Sequence, residues 1–363
     1  MVGRKQEPYP GRASRLIHMP CQGNKWLLLL VLACTGLPRG ARAEAPLPPP
    51  EHLTDTGLYV AGSTSIVQAD VLPFAPQYPL WSDGAVKRRW IQLPPGSSID
   101  ATQPDAWDFP VGTKLWKEFS QGRRVETRYI ERRPDGQWIF ASYVWNADGS
   151  DATLAPDAGV RELAVAAAPG ARYSIPSEAD CRACHEGAPA PVLGFSALQL
   201  SPDRDPLAPH ADAAGAQLDL RMLTARGLLR NFPAKLLARP PRIAAADATE
   251  RAALGYLHGN CGHCHNDAGP LAVLEMTLAQ RVTQAAPQND VMRSLVGVPS
   301  QFRAAGVPAA VERVAPGRAG ASVLALRMNS RDPLEQMPPL GTTEADPEAF
   351  ALVARWIESL SIH

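Results

Sequence analysis

The chain of 363 residues has no net charge, with 36 Lys and Arg against 36 Asp and Glu. This balance removes the global electrostatic case for nucleic acid or an anionic membrane as partner, since either calls for an excess of basic residues. Long apolar runs are also missing. The strongest, Trp26 to Leu37, falls short of the ~20 residues a transmembrane helix needs, and no other segment comes near that length. Cysteine is scarce: Cys21 and Cys34 lie in a segment patterned for export, and with the other four in two short motifs no thiol is left for a disulfide framework.

The N-terminal run follows basic Lys25 and precedes Pro38-Arg39-Gly40 and the small-residue stretch Ala41-Arg42-Ala43. This is the layout of a signal peptide over residues 1–43, cleaved after Ala43. Met19 would begin a signal of more ordinary length and is an alternative start. Val31-Leu32-Ala33-Cys34 resembles a lipobox, which would instead make Cys34 a lipid anchor in the outer membrane. Both readings place the chain in the bacterial periplasm or on its envelope.

Two pentapeptides carry the chemistry: Cys181-Arg182-Ala183-Cys184-His185 and Cys261-Gly262-His263-Cys264-His265. Cys-x-x-Cys-His is the attachment signature of c-type haem, in which two thiols hold the macrocycle and the adjacent imidazole binds iron. Two Cys-x-x-Cys pairs could also close a four-Cys zinc site, but that needs neither histidine. A redox dithiol belongs after the first strand of a βαβ unit, and neither motif has that setting. The expected cofactors are two haem c groups on Cys181, Cys184, Cys261 and Cys264, with His185 and His265 as proximal iron ligands.

Residues 44–57 read as a linker. From 58 to 175 short aromatic and branched runs, Arg89–Leu93, Thr113–Phe119, Val125–Ile130 and Trp138–Trp145, alternate with Asp83-Gly84, Pro134-Asp135-Gly136 and Asp148-Gly149, which predicts an all-β sandwich. The basic residues Lys87-Arg88-Arg89, Arg123-Arg124 and Arg132-Arg133 are read as the solvated face of those strands. Residues 176–240 form the first haem segment, with a helix expected around Ala216 to Leu229. Residues 241–363 read as a cytochrome c domain. In it, Asp247 and Glu250 start a helix that runs into Cys261, and Asp346-Pro347 starts a terminal helix with Phe350, Leu352, Val353, Trp356 and Ile357 on one side. The fold class expected is multidomain α+β.

The distal ligand of the second haem is expected from Met337, in the stiff loop Met337-Pro338-Pro339-Leu340-Gly341, with Met328 as fallback. For the first haem the candidates are Met222, His210 and His258, each of which also has a structural reading. His263, at a variable motif position, is read as surface.

Tyr78-Pro79-Leu80-Trp81-Ser82-Asp83-Gly84, Phe109-Pro110-Val111-Gly112-Thr113, Tyr143-Val144-Trp145-Asn146, the two haem motifs and Met337 to Gly341 together resemble a largely uncharacterised family of bacterial envelope diheme c-type cytochromes with an N-terminal β domain. The resemblance spans Leu58 to Ile362. It implies single-electron transfer between redox donor and acceptor proteins. A diheme peroxidase-like oxidoreductase, with an open coordination site at the first haem, is the alternative, and a third reading makes the β domain a ligand-binding module that recruits the cytochrome to a polymer or a partner.

Overall fold

Alternation of large and polar residues builds the strands. In the computed structural model, which describes residues 48–212, 218–282 and 287–361, these are β1 (Leu72–Pro73), β2 (Val86–Gln92), β3 (Ile99–Asp100), β4 (Lys114–Gln121), β5 (Arg123–Arg132), β6 (Trp138–Trp145), β7 (Ala152–Leu154), β8 (Val160–Ala164) and β9 (Arg172–Ile175). The segment read as an export signal, with Cys21 and Cys34, lies outside the described residues. Strands β1-β2-β4-β5-β6-β7 form one antiparallel six-stranded sheet in that order. Turn chemistry matches the sequence at Gly84, Gly136 and Gly149, all with positive φ, and Gly122 adds a further such turn between β4 and β5.

The expected sandwich is not what closes this sheet. One face carries Trp90, Trp116, Tyr129, Ala141, Tyr143 and Trp145, packed against Leu53, Leu58, Tyr59 and Val71 from the preceding loop. The other face carries Ile91, Leu115 and Ile130 and packs against Phe195, Leu200, Leu220 and Leu223. Both faces are therefore covered by loops and helices, so a second facing sheet is not required. The remaining strands form two small ribbons, β8 with β9, and β3 in parallel with β10 (Leu229–Arg230).

After β9 come α1 (Glu178–His185), α2 (Leu220–Ala225), α3 (Ala234–Ala238), α4 (Ala248–Asn260), α5 (Pro287–Leu295), α6 (Val323–Asn329) and α7 (Pro347–Ser359), so the class is mixed α+β. Of the helix expected from Ala216 to Leu229, residues 216 and 217 lie outside the described residues and α2 covers Leu220–Ala225 of the rest. Asp219 caps it through Met222 N–H, and Gly227 at φ 68° turns the chain out so that Leu229 enters a strand. The caps of α4 and α7 are as the sequence reads: Asp247 accepts from Glu250 N–H, and Asp346 accepts from Ala349 N–H with Pro347 following it. Helices α4 and α7 share a core with Leu254, Leu257, Leu352, Val353, Trp356 and Ile357 fully or almost fully buried. No helix among the described residues is long and apolar enough to cross a membrane.

The segments 58–175, 176–240 and 241–363 share these cores. Phe74 and Phe195 stack edge to face at 4.7 Å, and Tyr78 belongs to the same cluster as Leu257 and Trp356. All described residues fall in one compact unit.

Candidate functional site

Helix α1 is built to start at Ser177. Its hydroxyl accepts from Asp180 N–H while the Asp180 carboxylate accepts from Ser177 N–H, a reciprocal capping box. The helix ends on His185, whose ring stacks on Phe140 of β6 at 5.0 Å. The His185 Nδ1–H donates to the Pro191 carbonyl at 2.5 Å, which fixes the tautomer and leaves the Nε2 lone pair for a metal. Burial lowers the His185 pKa to about 4, so the ring is neutral at pH 7.

The second motif follows α4 directly. His265 is 7% exposed, its Nδ1 has no hydrogen-bond partner, and burial lowers its pKa to about 4 as well. Met337 lines one cleft together with Cys261, Met328, Tyr256, Asn260 and Trp81, so the expected distal loop and the second motif face the same space. Met328 is also a member of the α4–α7 core.

The two motifs adjoin. Donor atoms of Cys184, His263 and Cys264 lie within 4.8 Å of one another, and Asn266 Nδ2–H donates to Gly187 O at 2.9 Å across the same junction. His263 is therefore wedged between the motifs rather than free on the surface. The Cys184 thiol donates to Cys264, which pushes Cys184 up to about 12, with burial adding to the shift, and holds Cys264 below its ordinary value. Burial pushes Cys181 up to about 11 and Cys261 to about 12.

None of the three first-haem candidates is spent on His185. His210 Nε2 pairs with Asp346 Oδ2 at 2.8 Å, at the cap of α7, and its ring stacks on Trp81. Met222 packs against the core cluster of Leu220, Leu223 and Phe195. His258 Nδ1 accepts from Gln280 N–H at 3.1 Å, so in the neutral ring the proton sits on Nε2, and that nitrogen has no lone pair to offer.

Burial, with the nearby His263 adding to it, lowers the His258 pKa to about 4 from 6.5. Because the folded value lies below the unfolded one, the unfolded chain binds more protons between those pH values, and stability is lost as pH falls from about 6.5 to 4. The loss expected from His258 is on the order of 3 kcal/mol, read as a falling urea midpoint over that window. In His258→Gln the acid-induced loss should shrink by that share, leaving what His185 and His265 contribute, and an unchanged profile would show that His258 does not titrate in this window.

The Tyr78 to Asp83 segment, which the sequence offers as a motif of the resemblance and a turn at Asp83-Gly84, clasps the second Cys-x-x-Cys-His motif. Trp81 N–H donates to Asn260 Oδ1 at 2.7 Å, Asn260 Nδ2–H returns to Pro79 O at 3.3 Å, and Trp81 Nε1–H reaches Glu344 O at 3.1 Å. The Asp83 carboxylate accepts from Thr343 N–H, the Thr343 hydroxyl and Glu344 N–H, all at 2.9–3.0 Å, and so anchors the end of the methionine loop.

Of the basic strand residues read as solvated, Arg88 is, with its side chain 56% exposed, but Arg89 is not. Arg89 is only 7% exposed. Cross-strand register sets Arg89 opposite Lys117, Lys117 opposite Arg128 and Arg128 opposite Ser142, a single row across the covered face of the sheet that also carries Phe140. The row is interior because α1 and the chain after it pack over this face. Burial lowers Arg89 to about 10 and Lys87 to about 8, and holds Lys117 well below its ordinary value. Arg88 alternates to the opposite face, where it pairs with Glu118 at 2.6 Å.

No protein-family model, no curated protein and no solved structure matches this chain.

Proposed function

We propose that this chain is a periplasmic diheme c-type cytochrome that passes single electrons between a donor and an acceptor protein. The observation that carries the reading is the pair of Cys-x-x-Cys-His motifs, with a buried neutral histidine at the end of each. The donor set suits the group: Cys181 and Cys184, and Cys261 and Cys264, would hold the two haems, with His185 and His265 on iron. Bound haem supplies a one-electron Fe(III)/Fe(II) couple. The Pro191 carbonyl orients His185, as a second-shell acceptor orients a ligating histidine. On the second side the Asp83 clasp and Trp81 hold the Met337 loop against the α4 terminus. The junction at Cys184, His263 and Cys264 supports direct communication between the two centres.

A pyridine haemochrome assay with intact mass spectrometry on periplasmically expressed protein tests this. The expected result is a mass increase equivalent to two haems with four thiols consumed. No haem together with stoichiometric zinc would sink the reading in favour of a soft-metal site at Cys184, His263 and Cys264.

A second reading, a peroxidase-like oxidoreductase, draws on the commitment of His210, His258 and Met222 elsewhere, which supports an open sixth position beside His185. A high-spin oxidised haem that binds cyanide, with peroxide reduced at the expense of a ferrous cytochrome, would favour this enzyme over the carrier.

A further inference from the structure

Across the covered face of the sheet, the row Arg89, Lys117, Arg128 and Ser142 places three basic side chains on adjacent strands. Like charges directly opposite one another oppose pairing, so the row needs compensation. Within the protein it gets little. Glu126 takes Arg128, through bonds of 2.8 and 3.1 Å, and also accepts from Tyr173 OH at 2.9 Å. Among the described residues, neither Arg89 nor Lys117 has a carboxylate within ion-pair distance. Lys117 has the face of Phe119, with Nζ at 4.8 Å from the ring centroid, and beyond ion-pair distance the Glu126 carboxylate, as Arg89 has Asp212. At the far end of the row the Ser142 hydroxyl is buried, in a residue 6% exposed, and has no partner. Apolar clusters flank the row on both sides, with Ile91, Leu115 and Ile130 on one and Phe119 and Val144 on the other. Phe140, on the same face, is the ring on which His185 stacks.

We propose that the Arg89 and Lys117 end of this row is an anion site of carboxylate or oxyanion chemistry beside the first Cys-x-x-Cys-His motif, taking its ligand through these two side chains on adjacent strands. The proposal rests on the diheme reading for its first occupant, the propionate edge of the haem held by Cys181 and Cys184. A free oxyanion has the same chemistry and is the second source. A guanidinium and an ammonium on adjacent strands suit a carboxylate, and the apolar flanks exclude the water that would otherwise screen it.

The test uses the full-length holoprotein with Arg89→Gln, Lys117→Gln and the charge-conserving Arg89→Lys, the Lys117 variant guarding against misfolding at the more buried arginine. Haem is counted first, then each midpoint potential is measured by spectropotentiometry, and inorganic phosphate is titrated calorimetrically. If propionates occupy the row, each Gln variant keeps two haems but favours the ferric state at one of them, the one insensitive to Met337→Ala. The ferrous-to-ferric ratio at fixed potential should fall about tenfold, ~59 mV for a one-electron couple, and Arg89→Lys should stay near wild type. If a free oxyanion is the occupant, potentials hold while phosphate binding weakens about tenfold or more in the Gln variants. Unchanged potentials with no phosphate binding to the wild type would overturn the proposal. A chain without haem would defeat the diheme reading alone, because the phosphate titration still decides the anion site.

Discussion

Gly255→Ala is expected to destabilise the protein by about 3 kcal/mol, the upper end of the cost of overpacking a core, although alanine gains about 1 kcal/mol over glycine in helix propensity. A Cβ at this position would stand 2.0 Å from Tyr78 Cε1 and 2.4 Å from Cδ1 and Cζ. The ring cannot easily yield. Its hydroxyl donates to Asp205 Oδ2 at 3.1 Å, its backbone N–H donates to Gln199 Oε1 at 3.0 Å, and Gln199 Nε2–H returns to its carbonyl at 3.2 Å. Gly259, one turn on, faces the Tyr78 carbonyl, with a would-be Cβ at 2.4 Å. The two glycines form a flat seat on α4 into which the Tyr78 segment is pressed. Equilibrium urea unfolding of Gly255→Ala, Tyr78→Ala and the double variant measures the coupling. In the Tyr78→Ala background the alanine should be neutral or mildly stabilising. An equal cost in both backgrounds would show that the clash is not with Tyr78.

Met337→Ala should abolish the methionine-to-iron charge-transfer band and lower the potential of one haem by roughly 0.2 V, a modest part of the ~0.8 V that axial ligands span. The direction follows from the thioether's preference for ferrous iron. Optical redox titration reads both quantities, with the other haem as internal control. Met328→Leu, a near-isosteric change at a core position, should leave band and potential intact. A band that survives Met337→Ala and vanishes in Met328→Leu would transfer the role to Met328, which lines the same cleft.

The shared cores bear on the idea of a detachable β module. Tyr78 lies among Leu254, Leu257 and Trp356, and Ile99 of β3 pairs with Leu229 of β10. Removing 58–173 would strip a face from both clusters, so a deletion could not separate a binding role from loss of the fold. Point changes on the exposed edge, such as at Val86, 69% exposed, are the cleaner probe of any partner surface.

Local patterns were legible where the physics is local. The long strands β4 to β6 follow from aromatic and branched runs punctuated by Gly turns, and the starts of α4 and α7 follow from Asp caps that need only the next three residues. The sandwich was misread because alternation reports that a face is covered without reporting what covers it. Helix α2 was overestimated because its apolar positions continue through Leu229, which pairs in a strand instead. Gly255 and Gly259 held a readable signal, since small residues one turn apart on a helix admit close backbone approach, but their partner lies far away in sequence.

By itself the sequence determined the chemistry that depends on neighbouring residues: two thiols and an imidazole within five positions, twice, and a methionine in a proline-stiffened loop. The tertiary structure decided what depends on distant pairs. It brought Cys184, His263 and Cys264 together across about eighty residues, committed His210 and His258 to other partners, and turned Arg89, Lys117 and Arg128 inward. Whether a basic strand face meets water or is buried is set by what packs over it, and residues far along the chain supply that cover here.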